Sequence, residues 1–203
     1  MIDKKPSANK SSSAGPGGDQ GTNNPAAQSQ PRTNEPTMQH MTINQFYNAD
    51  ALRWHTYQNP KIRNCGETIR SHQIECVELV HWFIERPTHS LIEATRWHDQ
   101  PEVLLGDLSF PTKRDYPKIA KSWEEAEADV IFRYHVPQPA NDYERKFLKF
   151  VDRLQPYMLV QNLAPEDMQL DDWHYAKKDL LTSAKSLMLD MELLNLKMKE
   201  PRL

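Results

Sequence analysis

The stretch Leu91-Ile92-Glu93-Ala94-Thr95-Arg96-Trp97-His98-Asp99-Gln100-Pro101-Glu102-Val103-Leu104-Leu105-Gly106 decides the fold. Leu91, Ala94, Thr95 and His98 recur at helical spacing on one face, with Ser90 ahead of them as the expected N-cap. Pro101 suits the first turn of a new short helix, Glu102 to Leu105, and Gly106 suits its end. The backbone therefore changes course at His98-Asp99. Neighbouring side chains on one continuous helix point apart, so an imidazole and a carboxylate in sequence reach a common cation only at such a corner.

The helical period persists on both sides of this corner. From Thr68 to Glu85, His72, Cys76, Leu79 and Phe83 share a face at steps of four, three and four. A longer helix from about Pro117 aligns Ile119, Trp123, Ala126 and Val130, and Pro137 and Pro139 break it. Another from about Asp142 aligns Phe147, Val151 and Leu154. The last is expected from Asp171 to Lys199, with Trp173, Ala176, Leu180, Leu187, Met191, Leu194 and Met198 as a stripe that reads as a core or oligomer face. No stretch alternates at period two, so the fold class is all-α, and roughly 160 ordered residues suffice for a core.

Residues 1–40 differ from the rest. They contain no aromatic residue, no Leu and no Val, and four of the six glycines fall there. Such a segment buries too little apolar surface to offset its ordering entropy, so it is expected to be a disordered low-complexity tail, with the folded domain over 41–203. The chain of 203 residues carries a formal net charge of -3, which argues against a partner of polymeric nucleic acid. Two cysteines, Cys65 and Cys76, make neither a disulfide framework nor a CxxC metal motif. There is no apolar run of membrane-spanning length, and no apolar segment follows Lys4 and Lys5, so a cytoplasmic protein with no membrane partner is expected.

The chemistry-bearing set is His72, His98, Asp99 and Asp152. Two imidazoles and two carboxylates suit Zn, Mn, Fe, Co or Ni better than Ca and leave positions open for water and a substrate oxygen, as metal-assisted hydrolysis requires. Each member has a plainer account by itself: His72 as a hydrogen-bonded semi-buried histidine, Asp152 as an ion-pair partner of Arg153. Their joint placement on three core-facing surfaces favours one shared partner.

Arg53-Trp54, His72, His98-Asp99-Gln100-Pro101-Glu102, the run Gly106-Asp107-Leu108-Ser109-Phe110-Pro111-Thr112-Lys113 and Asp152-Arg153-Leu154 resemble the HD-superfamily 5'-deoxynucleotidases and the phage dATP triphosphohydrolases of the same branch. The resemblance covers about residues 50 to 160 and implies an HD-type helical bundle. It implies that His72, His98, Asp99 and Asp152 hold one divalent transition metal per chain (Zn, Co or Mn). It implies that Glu102 activates or relays a proton to the attacking water, and that Asp107 is a second acid facing the substrate. Arg53 and Lys113 match basic positions that hold phosphate oxygens, and Trp54 an aromatic that lines the sugar side and disfavours a 2'-hydroxyl. The implied substrate is a 2'-deoxynucleotide, deoxyadenosine nucleotides first, hydrolysed at the phosphate nearest the sugar. Family habit and the C-terminal stripe imply a homo-oligomer, and the phage relatives would place the protein in a host cytoplasm.

This chain departs from the family pattern in two places. The Trp54-to-His72 spacing is long, through a loop Tyr57-Gln58-Asn59-Pro60-Lys61-Ile62-Arg63 whose Lys61 and Arg63 would add charge for a longer phosphate chain. Trp97 stands before His98 where relatives often have a small apolar residue. Two other readings stand beside the leading one: a non-catalytic nucleotide-binding module with a structural metal, and an HD-type cyclic nucleotide phosphodiesterase, which would need further ligands for a second metal.

Overall fold

A computed structural model describes residues 52–54 and 57–199. The tail expected over residues 1–40 lies outside the described residues, as do residues 41–51, 55, 56 and 200–203 of the expected domain. In chain order the helices are α1 (Pro60–Arg63), α2 (Ile69–Phe83), α3 (His89–Trp97), α4 (Gln100–Leu105), α5 (Phe110–Asp115), α6 (Pro117–Tyr134), α7 (Asp142–Leu163), α8 (Asp171–Ser186) and α9 (Met191–Lys197), with a 3-10 turn at Pro165–Gln169. The only pairing of β type among the described residues is an isolated antiparallel bridge between Leu52 and Thr68. The protein is all-α, as its periodicity predicts. None of these helices is long and apolar enough to cross a membrane.

The fold is organised around α7, whose 22 residues make a rod about 33 Å long. Its inner face buries Phe147, Phe150, Val151, Leu154, Tyr157 and Met158. Against it pack Cys76, Leu79 and Val80 of α2, Leu91 of α3, Leu180 and Ala184 of α8, and Leu194 of α9. A smaller cluster of Ile62, Val160 and Ala164 lies beyond, with Trp54, Tyr57 and Trp173 packed on it. The C-terminal stripe is thus buried within the chain's own core: Leu180, Leu187, Leu194 and Met198 all belong to the main cluster, and Trp173, Ala176 and Met191 pack on it.

Several local expectations change. Thr88, not Ser90, caps α3, its hydroxyl accepting from Leu91 N at 3.2 Å, while Ser90 lies in the first turn and donates to Glu144. The short helix begins at Gln100, with Pro101 in its first turn, and Gly106 ends it at φ +84°, a left-handed backbone that glycine adopts without strain. Ser109 caps an unforeseen helix, α5, by accepting from Thr112 N. The supposed loop from Tyr57 to Arg63 contains α1, capped by Asn59. α6 stops at Tyr134, ahead of Pro137, through His135 at φ +51°.

The single helix expected from Asp171 to Lys199 is two helices. Met188 takes φ +56°, Leu189 N donates to Ala184 O at 3.0 Å and Met188 N to Lys185 O at 3.1 Å. These are the paired bonds of a Schellman turn, here without its usual glycine. Asp190 then caps α9, accepting from Glu192 N and Leu193 N. Leu187 before the break and Leu194 after it enter the same core cluster. That burial holds the bend although the residue at its centre is a methionine.

Candidate metal centre

The residues expected as ligands come together from four elements. His72 projects from the buried face of α2, His98 stands at the C-cap of α3, Asp99 at the N-cap position of α4, and Asp152 lies on α7. Asp99 makes no capping hydrogen bond, so its carboxylate is available to the site. The corner read from the sequence is what lets His98 and Asp99 face one point. One ligand atom from each of the four residues lies within 4.8 Å of all the others.

The separations fit a small divalent ion. His72 Nε2 is 3.2 Å from His98 Nε2, 3.2 Å from Asp152 Oδ1 and 3.3 Å from Asp99 Oδ2. His98 Nε2 is 3.3 Å from Asp99 Oδ1 and 3.4 Å from Asp152 Oδ1. Ligands about 2.0–2.2 Å from a transition ion stand about 2.8–3.6 Å apart in tetrahedral or octahedral geometry.

The proton arrangement points the same way. His98 Nδ1 donates to Thr95 O at 2.7 Å, and His72 Nδ1 donates to Gln155 Oε1 at 2.7 Å. In the neutral rings both Nε2 atoms are then bare lone pairs facing each other beside two carboxylates. Converging acceptors of this kind need a shared positive charge, supplied either by a metal ion or by protons on the imidazoles. Burial alone would lower His98, but the charge of Asp99, with the hydrogen bond and charge of Asp152, raises it to about 9. Burial opposes ionisation of Asp152, yet the hydrogen bonds of His72 and His98 hold its carboxyl well below the ordinary range.

The surrounding charges are mixed. Arg53 Nη1 stands 3.4 Å from Asp99 Oδ2. Burial opposes its charge, but Asp99, Glu102, Asp152 and Glu67 more than compensate and hold it above its ordinary value. Glu102 is buried, and its Oε2 has no hydrogen-bond partner among the described residues. Burial, then the charges of Asp99 and Asp107, push its carboxyl up to about 10, and Arg53 and Lys113 only partly counter this. Asp107 and the exposed Lys113 thus act on Glu102 through their charges. Trp54 is anchored rather than loose: its indole N–H donates to Glu67, and its ring meets Tyr57 edge-on at 5.3 Å. Lys61, expected to add charge for phosphate, is turned to Glu166 at 2.7 Å. Arg63 is exposed on α1.

The sequence reading missed four neighbours of the site. Gln155 and Glu67 are buried behind His72. Cys76 places Sγ 3.6 Å from His72 Nε2 and donates to Val151 O at 3.7 Å. Burial, with the charges of Asp152 and Asp99, pushes that thiol well above its ordinary value, and its Sγ forms a second group of prospective ligand atoms with His72 and His98. Glu127 on α6 is the fourth. Burial pushes its carboxyl up, Lys113 pulls against this, and Asp99, Glu124 and Asp107 add to the rise. A polar residue on a core-facing stripe was the available signal for Gln155, next to Leu154. Nothing in the spacing marks Glu67 or Glu127. In comparisons with protein-family models, curated proteins and solved structures, no match was found for this chain.

Proposed function

We propose that this chain is a metal-dependent phosphohydrolase of the HD superfamily that removes phosphate from 2'-deoxynucleotides. The observation that carries the reading is the convergence of two imidazole Nε2 atoms and two carboxylates on one point, beside a buried Glu102 whose Oε2 has no hydrogen-bond partner among the described residues. Held by His72, His98, Asp99 and Asp152, a divalent ion supplies positive charge to a phosphoryl oxygen and makes water more acidic. Burial and the charges of Asp99 and Asp107 favour a proton on Glu102, and its unpartnered Oε2 would let it exchange a proton with water or a leaving oxygen beside the site. Arg53 orients Asp99 and keeps other N–H groups of its fork for a phosphate oxygen. Lys113 adds a point charge from the rim, and Trp54 offers a fixed ring for the sugar. The pairing of Lys61 with Glu166 turns one of the three prospective phosphate cations away and leaves Arg63 and Lys113 for a longer phosphate chain. The family resemblance makes deoxyadenosine nucleotides the first to try.

The test is a product assay with Mn, Co or Zn across the four deoxynucleoside monophosphates and triphosphates. Orthophosphate release from monophosphates is expected, and triphosphate release would identify the longer-chain activity. His98→Ala should abolish turnover and metal binding together. Glu102→Gln should keep the metal and lose about 100- to 10,000-fold in rate. A wild type that holds one metal per chain and turns over nothing in the full panel overturns the proposal.

A further inference from the structure

His72 is fully buried, and the polar contacts behind it form a chain. Its Nδ1 lies 2.7 Å from Gln155 Oε1. Gln155, itself only 2% exposed, donates from Nε2 to Glu67 Oε1 at 2.5 Å and to Glu75 Oε2 at 2.8 Å. Carboxylates only accept, so the amide must turn its nitrogen to them and its oxygen to His72. The imidazole must then carry a proton on Nδ1, and in its neutral form it presents Nε2 as a lone pair. The other oxygen of Glu67, Oε2, accepts the indole N–H of Trp54.

Trp54 sits at φ +64°, a conformation rare for a bulky residue. It is held there by Tyr57 N donating to Trp54 O at 2.8 Å and by Arg53 N donating to Glu67 O at 2.9 Å. The adjacent Arg53 pairs with Asp99. The two-residue turn Arg53-Trp54 therefore reaches the ligand set twice, through Asp99 directly and through Glu67 and Gln155 to His72.

We infer that Gln155 is a positioning residue that fixes the proton of His72 on Nδ1 and, through Glu67, links metal affinity to the Trp54 turn. This rests on the metal reading of the site and not on the substrate or reaction. Gln155→Leu keeps the bulk and removes the acceptor, so His72 is free to hold its proton on Nε2, where the metal must bind. Loss of such a partner behind a metal-bound histidine weakens metal binding about 10- to 100-fold. Trp54→Phe keeps a ring and removes the N–H that holds Glu67. Acting at a distance, it should weaken metal binding about threefold to tenfold. With Gln155→Leu already present, it should add nothing, because the link is cut.

The experiment titrates the metal alone, Zn2+ or Co2+ against a chromophoric chelator, on the full chain, with helicity checked by circular dichroism. Wild type, both single variants and the double variant are compared. In metal-free wild type labelled with 15N at histidine, a proton on Nδ1 of His72 is expected, and this readout stands even if a variant fails to fold. Gln155→Leu within about twofold of a metal-binding wild type, additive losses in the double variant, or a His72 ring with no proton on Nδ1 overturns the inference. A wild type that binds no metal overturns the metal centre, and this inference with it.

Discussion

Replacing Glu144 by alanine should destabilise the protein by about 2–3 kcal/mol, although the residue lies away from the metal centre. Glu144 is charged yet only 3% exposed. It accepts from Thr88 Oγ1 at 2.7 Å, from Ser90 Oγ at 3.0 Å and from Ala140 N at 2.8 Å, while its own N–H bonds Asn141 Oδ1 at 2.9 Å. These bonds tie the start of α3, which carries His98 and Asp99 at its far end, to the start of α7, which carries Asp152. A hydrogen bond to an ionised group contributes about 1.5–3 kcal/mol. Three such donors set an upper bound, reduced because their freed hydroxyl and amide groups lie near the surface and turn to water. For a chain of this size the loss is a fall of roughly 5–10 °C in Tm.

The pH dependence gives the same experiment a second edge. Burial alone would raise the Glu144 carboxyl, but hydrogen bonds from Thr88, Ala140, Ser90 and Asn141 outweigh it and hold the group below its ordinary value. A carboxyl lowered in the folded state contributes stability that is complete above its unfolded pKa. That contribution is lost as pH falls through the lower folded value. The gap between wild type and Glu144→Ala should therefore be widest near neutral pH and close below about pH 4. Thermal and urea unfolding followed by circular dichroism across that range checks it. A variant melting within about 1 °C of wild type at neutral pH, or a gap that widens on acidification, refutes the reasoning.

Other outcomes follow from the same structure. Zinc or cobalt at about 100 times its Kd should stabilise the wild type by about 2.7 kcal/mol, a chelator should reverse this, and His98→Ala should show no shift in a thermal melt. Met188→Gly should raise stability in urea by about 0.5–1 kcal/mol, because glycine adopts the left-handed turn at φ +56° without a Cβ penalty. Lys61→Ala should leave phosphate release within about twofold of wild type, since its ammonium is held by Glu166; a larger loss would place Lys61 in the pocket. Leu154→Ala, emptying a fully buried position on α7, should cost about 2–5 kcal/mol, read from urea midpoints at unchanged m-value.

The all-helical class and the His98-Asp99 corner were legible in the sequence because they rest on local quantities, while His72 and Asp152 were expected from their core-facing placement and the family resemblance. The 3.6-residue period, the Pro101 corner and the Gly106 stop are properties of short segments, and they put His98 and Asp99 where one cation can meet both. Tertiary structure alone decided what lies behind and beside those ligands. Gln155 and Glu67 are 88 residues apart along the chain, and Lys61 and Glu166 are 105 apart. No period or motif connects positions so distant. The break at Met188 was equally hidden, since no glycine marks it and the apolar stripe runs through it unbroken. Leu187 before the break and Leu194 after it both lie in the main core cluster. Local pattern specified which segments are helices and which of their faces are apolar. Burial against the rest of the chain specified where those helices end, which groups stand behind the site histidines and which charges pair with one another.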